Sequence, residues 1–122
     1  MTKKKILMVD DDPAVTDYMR LKLEKDYEVL VTNAPSRVLQ IARQQQPALI
    51  LCDIDMPDMD GGDVCRALSD DRETRHIPFA YLTSIVSADE AQAMENKFGG
   101  QHGISKHASI EESLARIKAI IG

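Results

Sequence analysis

The stretch "CDIDMPDMDGG" (52–62) places Asp53, Asp55, Asp58 and Asp60 within eight residues, directly behind the apolar run "ALIL". A second acidic group, Asp10, Asp11 and Asp12, closes the apolar run "KILMV" (5–9). Like charges set at the ends of buried segments repel, and the repulsion must be offset by a bound cation, by solvent, or by a lysine from elsewhere in the chain. Thr83 and Ser84 follow "IPFAYL" (77–82), and Lys106 ends "GISK" (103–106). Crowded carboxylates suit a hard cation with oxygen ligands. Mg2+ fits, because it needs one or two carboxylates, keeps several waters and often shares a position with phosphate. A lysine beside them pairs with a carboxylate or with a phosphoryl oxygen, and a threonine supplies a further donor. Such a set performs phosphoryl transfer by positioning and charge neutralisation. A carboxylate can itself be the nucleophile, giving an aspartyl phosphate.

The elements that must bring these residues together alternate along the chain. Strands are expected at 5–9, 27–31, 48–52, 77–82 and 103–106, and helices at 13–25, 35–46, 63–71, 87–98 and 109–121. Asp12 is a suitable N-cap with Pro13 at the first helical position, Pro47 ends the second helix, and Ser87 with Glu90 forms a capping box for the fourth. The continuous apolar run "ALILC" reads as a strand covered on both faces. Five βα units with short loops imply an α/β fold, a doubly wound parallel sheet of five strands with five helices, in a single domain spanning 1–122. Its site belongs outside the carboxyl ends of the strands. Asp10, Asp11, Asp53, Thr83, Ser84 and Lys106 all fall there, whereas the second strand offers Thr32 and Asn33.

The bulk numbers narrow the function classes. Hydrophobic residues make up 43% and charged residues 29%, as in an ordinary globular domain, and aromatics only 4%, so the core is aliphatic. A net charge of −5, with no basic stripe beyond Lys3, Lys4 and Lys5, argues against direct nucleic-acid binding. The apolar run behind those lysines is too short for a signal peptide or membrane span, so a cytoplasmic location is expected. Cys52 and Cys65 match no zinc spacing and read as small buried residues kept reduced, and His76, His102 and His107 as surface residues.

The motifs "ILMVDDDP" (6–13), "LILCDIDMPDMDGG" (49–62), "IPFAYLTS" (77–84) and "SK" (105–106) resemble, in order and spacing, the receiver domain of two-component response regulators, over essentially the whole chain. The resemblance implies a flavodoxin-like sheet in the order 2-1-3-4-5 and phosphorylation of Asp53 by a histidine kinase or phosphotransfer protein. It implies Mg2+ held by Asp11 and Asp53, by the backbone carbonyl of Asp55, and by Asp10 through water. Lys106 and Thr83 would contact the phosphoryl group, and Ser84 would offer its N–H. Such a protein catalyses its own phosphorylation and dephosphorylation without being a conventional turnover enzyme, and it switches binding to a downstream effector. At Asp55 and Ile85, two beyond the nucleophile and Thr83, the family tunes attack by water.

Asp12 reads as a helix cap rather than a ligand. Asp58 and Asp60 read as turn-shaping residues, with Gly61 able to take a positive φ, Pro57 stiffening the loop and Met56 packing beneath it. Two positions depart from the family pattern. Gly103 stands where an aromatic is usual, and His107 where a proline follows the lysine across a cis bond. A non-proline cis bond costs about 2.5–4 kcal/mol, so a trans, reshaped loop with a displaced Lys106 is expected, and either readout through Thr83 and the 84–88 loop or an altered output face. Rival readings are a calcium loop, a phosphatase of the haloacid dehalogenase type and a docking or dimerisation module. The first is weakened by Pro57, Asp58 and Val64 at its fifth, sixth and twelfth positions. In the second, the acidic pair follows the nucleophile, whereas here "DDD" precedes it.

Overall fold

The computed structural model describes residues 3–84 and 102–122. The helix expected at 87–98, its Ser87/Glu90 box, Ile85 and the rest of the 84–88 loop beyond Ser84 lie outside the described residues. Five parallel strands, β1 (Lys5–Val9), β2 (Glu28–Thr32), β3 (Leu49–Asp53), β4 (Phe79–Thr83) and β5 (His102–Ser105), form one sheet in the order β2-β1-β3-β4-β5. Four α-helices are described: α1 (Pro13–Leu23), α2 (Val38–Gln45), α3 (Gly61–Ser69) and α4 (Ile110–Ile121).

Side chains alternate along each strand, so the sheet divides the core into two layers. Leu7, Val9, Ile50, Cys52, Phe79 and Tyr81 pack with Val38, Ala42, Val64 and Leu68 of α2 and α3. Ile6, Met8, Leu49, Leu51, Ala80, Leu82 and Ile104 pack with Met19 and Leu23 of α1 and Ile117 of α4. Every residue of β3 and β4 is buried, as expected of central strands covered on both faces.

The helix starts are set locally. The Asp12 carboxylate accepts the Ala14 N–H at 2.9 Å and caps α1, with Pro13 next in line. Segment 35–37, expected as the first turn of the second helix, is a 3-10 turn instead, because extended Ala34 has no side chain to cap an α-helix there. Gln46, left-handed at φ 46°, ends α2 before Pro47. The third helix opens two residues earlier than the sequence suggests. Asp60 and Asp63 form a reciprocal capping box, Asp63 N–H to Asp60 Oδ1 at 2.8 Å and Asp60 N–H to Asp63 Oδ2 at 3.2 Å. Ser109 caps α4 by accepting the Glu112 N–H at 3.1 Å.

Candidate functional site

The carboxyl ends of β1, β3, β4 and β5 meet at one edge. Asp10 directly follows β1 and is buried, Asp11 beside it is exposed, and Asp53 is the buried last residue of β3. One carboxylate oxygen from each of the three lies within 4.8 Å of the others. Lys106 comes across from the end of β5, its Nζ 2.8 Å from Asp53 Oδ1 and 3.0 Å from Asp10 Oδ2.

Backbone geometry fixes these groups. Asp10 Oδ1 accepts the Asp12 N–H at 2.9 Å. The Lys106 N–H donates to the Thr83 carbonyl at 2.7 Å, which holds the lysine beside buried Thr83. Thr83 pairs with Ser105 and Asp53 with Leu82 in the sheet register. Ser84 and Asp55 are exposed, each just past the strand end it follows.

The electrostatics follow from burial and charge crowding. Desolvation is the main cause that raises the Asp10 carboxyl above its ordinary value. The nearby Asp53 adds to it, while the Asp12 N–H and Lys106 work against it. For Lys106 burial disfavours the charged form, but its close contacts with the Asp53 and Asp10 carboxylates outweigh it, so the ammonium titrates above its usual value. Asp10 Oδ2 sits beside the ammonium yet receives no aligned hydrogen bond, leaving a buried oxygen with a charge contact alone. Three carboxylates against one ammonium, with that oxygen under-satisfied, fit a hard divalent cation of the Mg2+ kind.

The loop after β3 is built differently from the expected turn. Asp58, not Gly61, takes the positive φ, at 69°, a conformation that aspartate tolerates. Gly61 serves close approach: a Cβ there would lie 2.5 Å from the Asp53 carbonyl oxygen and 3.0 Å from Cε1 of Tyr81. Its N–H donates to the Ile54 carbonyl at 2.8 Å. Met56 is buried against the α2/α3 layer, as expected. Cys52 is buried and donates its thiol to the Asp53 carbonyl at 3.3 Å. Burial, then the charges of Asp53 and Asp10, push that thiol far above its usual titration. Cys65 is half-buried rather than buried, and His102 is half-buried at the start of β5, while His76 and His107 are exposed.

The Lys106–His107 peptide bond is trans. The lysine is nevertheless not displaced from the site, as its contacts to Asp53 and Asp10 show. Gly103 is buried opposite Tyr81 in the β4–β5 register, and its carbonyl accepts from Arg116 Nη2 at 3.1 Å.

Asn33, noted in the sequence at the end of the second strand, is given no role there. Its amide nitrogen donates to the Asp10 carbonyl at 2.7 Å and contacts Thr16 Oγ1 at 3.2 Å, tying the ends of β1 and β2 to α1. The signal was its position, directly after β2 on the same edge as the acids. Asn33 and Asp11 share with Pro57, Asp58 and Met59 a shallow cleft of about 240 Å³ beside the carboxylates.

The family profile described as the response regulator receiver domain matches residues 6–118. This chain belongs to the response-regulator receiver family. The receiver is 32% identical to the polar-differentiation response regulator DivK of Brucella ovis over 123 residues, covering 100% of this chain and 98% of that protein. It is 34% identical over 119 residues to the DNA-binding dual master transcriptional regulator RpaA of Synechocystis sp., covering 96% of this chain and 48% of that protein. It spans 9% of Histidine kinase P4 of Formosa agariphila, so the chain spans less than half the length of these last two relatives. Among solved structures, the BeF3-activated N-terminal receiver domain of Klebsiella pneumoniae RstA superposes with a TM-score of 0.76 at 30% identity, covering 96% of this chain and 97% of that one. Vibrio cholerae chemotaxis protein CheY4 shares the fold, with a TM-score of 0.82 at 22% identity over 98% of this chain and 99% of that one. Among the described residues, no helix is long and apolar enough to cross a membrane.

Proposed function

We propose that the receiver accepts a phosphoryl group on Asp53 from a phosphohistidine of a histidine kinase or phosphotransfer protein, and that the modified form changes its affinity for a downstream partner. The observation that carries this reading is the convergence of Asp10, Asp11, Asp53 and Lys106 at one strand edge. An Asp53 carboxylate oxygen attacks phosphorus in line. The P–N bond of the donor breaks, and its electron pair returns to the ring nitrogen. The oxygen–phosphorus bond that forms is a mixed anhydride on the side chain. Lys106, already held between Asp53 and Asp10, neutralises charge on the transferring oxygens, and Thr83 with the Ser84 N–H supplies further donors. Asp10, Asp11 and Asp53, with the Asp55 carbonyl, would hold Mg2+, which when bound supplies positive charge to the phosphoryl oxygens.

The test is incubation with phosphoramidate and MgCl2, followed by mass spectrometry. One acid-stable, base-labile phosphoryl group per chain is expected, absent in Asp53→Asn and abolished by chelation. Multiple-turnover hydrolysis of phosphomonoesters would instead favour a phosphatase, and a wild-type protein that takes up no label would refute the phosphoacceptor reading.

A further inference from the structure

The site depends on a lysine in a turn whose shape this chain secures in its own way. The Lys106 side chain has four rotatable bonds, so placing its ammonium on two carboxylates costs conformational entropy. That cost falls if the backbone beneath it is fixed. Just before the lysine the chain is paired into β5, and the Lys106 N–H is bonded to Thr83. Just after it, nothing of the sheet remains to hold the chain. Among the described residues, two side chains hold it instead. The Ser105 hydroxyl, on a residue only 5% exposed, accepts the His107 N–H at 3.1 Å. From α1, Lys22 Nζ donates to the Ala108 carbonyl at 3.0 Å while lying 4.4 Å above the Tyr18 ring. The Ala108 N–H closes the turn onto the Ser105 carbonyl at 3.2 Å.

We propose that Ser105 is a positioning residue for Lys106: its hydroxyl, by accepting the His107 N–H, latches the turn that delivers the ammonium to Asp53 and Asp10. The latch needs a residue at 107 that has an N–H, and histidine supplies one where proline would not. In this scheme Ser105 acts through the backbone of the turn, by the bond its hydroxyl accepts from the His107 N–H. Removing its oxygen leaves a partly buried N–H without that acceptor, which favours other turn conformations in which the ammonium is off target. The Lys22 contact closes the far end of the same turn, so the lysine is bracketed from β5 on one side and α1 on the other.

This inference rests on the phosphoacceptor reading for its kinetic consequence but not for its structural one. Ser105→Ala is expected to lower the rate constant for phosphorylation by phosphoramidate at saturating MgCl2 about tenfold, and Ser105→Thr, which keeps the hydroxyl, to restore most of it. In a Lys106→Ala background the same Ser105→Ala change is expected to have almost no further effect, because the group being positioned is gone. The His107 amide, followed by NMR hydrogen exchange, is expected to be protected in the wild type and to exchange faster in Ser105→Ala. Equal losses with and without Lys106, or unchanged His107 exchange in Ser105→Ala, would overturn the proposal. If Ser105→Ala does not fold, rapid exchange of His107 in the wild type overturns it alone. If the wild type accepts no phosphoryl group, the phosphoacceptor reading fails while the exchange measurement still decides the latch.

Discussion

Replacing Gly61 by alanine tests how tightly α3 is seated on β3, the strand that ends in the proposed acceptor Asp53. The added Cβ would stand 2.5 Å from the Asp53 carbonyl oxygen, 3.0 Å from Tyr81 Cε1 and 3.1 Å from Ile54 Cα. Two of these neighbours are backbone atoms, so no side-chain rotation relieves the clash. Restoring an ordinary carbon–oxygen contact of about 3.3 Å requires a shift of about 0.8 Å between the start of α3 and the end of β3. The Gly61 N–H bond to the Ile54 carbonyl, now 2.8 Å, would stretch beyond normal hydrogen-bond range. Overpacking costs about 1–3 kcal/mol and the lost bond about 1 kcal/mol. Alanine's helix preference over glycine offsets about 1 kcal/mol. The net loss is about 1–3 kcal/mol, or roughly 4–12 °C in melting temperature for a chain of this size. Moving the acceptor by that distance should also slow phosphorylation about 10–100-fold. Gly62→Ala is the milder comparison, since its Cβ would meet the Asp60 side-chain Oδ1 at 3.2 Å rather than the backbone of β3. Urea unfolding and phosphoramidate kinetics on both variants provide the readout. If Gly61→Ala unfolds within about 0.5 kcal/mol of the wild type and phosphorylates at the same rate, the steric reasoning is wrong.

Four other outcomes are expected. Lys106→Met leaves the Asp10 and Asp53 carboxylates facing each other; with the lysine side chain 22% exposed, a loss of about 2 kcal/mol is expected, and MgCl2 should recover more stability in this variant than in the wild type by thermal melting. The Asp10 carboxyl is raised mainly by burial, so its ionisation removes stability as pH rises through the folded value; Asp10→Asn should melt higher than the wild type at neutral pH without Mg2+ while binding Mg2+ more weakly in calorimetry. Asp71 is depressed by the Arg43 guanidinium and then by the Glu73 N–H, so its stabilisation is present above its unfolded value of 3.8 and is lost as pH falls through the lower folded value; the stability gap between the wild type and Asp71→Asn in urea should therefore narrow in acid. Asp60→Ala removes the α3 cap, and a loss of about 1 kcal/mol with faster amide exchange at 61–63 is expected.

The alternating pattern of apolar runs and amphipathic segments made the fold legible, and the resemblance supplied the strand order. The acids were legible because they end buried strands, where a charge has few structural uses. Strand ends were misplaced for a physical reason. The sequence reading stopped β2 and β3 at the last apolar residue, yet Thr32 and Asp53 are still in the ladder, paired with Val9 and Leu82, because backbone hydrogen bonding is indifferent to side-chain polarity. β4 starts later than "IPFAYL" suggests, since the Ile77 N–H is turned back to Thr74 and Pro78 has no N–H, its carbonyl accepting from Ile50 at 3.0 Å. The helix start at Asp60 was hidden by "DGGD", in which two glycines imitate a turn. Gly61's role could not be read from a sequence at all, because it depends on where the Asp53 carbonyl stands in space.

The alternation of each strand between two packing layers has an evolutionary consequence. Leu49 and Leu51 face the α1/α4 layer, Ile50 and Cys52 face the α2/α3 layer, and Asp53 is the next step in that count. A substitution in β3 alters one contact. Deleting or adding one residue there would exchange the two faces and turn the carboxylate away from Lys106. Drift in chain length should therefore be confined to the opposite rim of the sheet, such as segment 70–78, while strand lengths stay fixed across descendants whose surfaces have otherwise diverged.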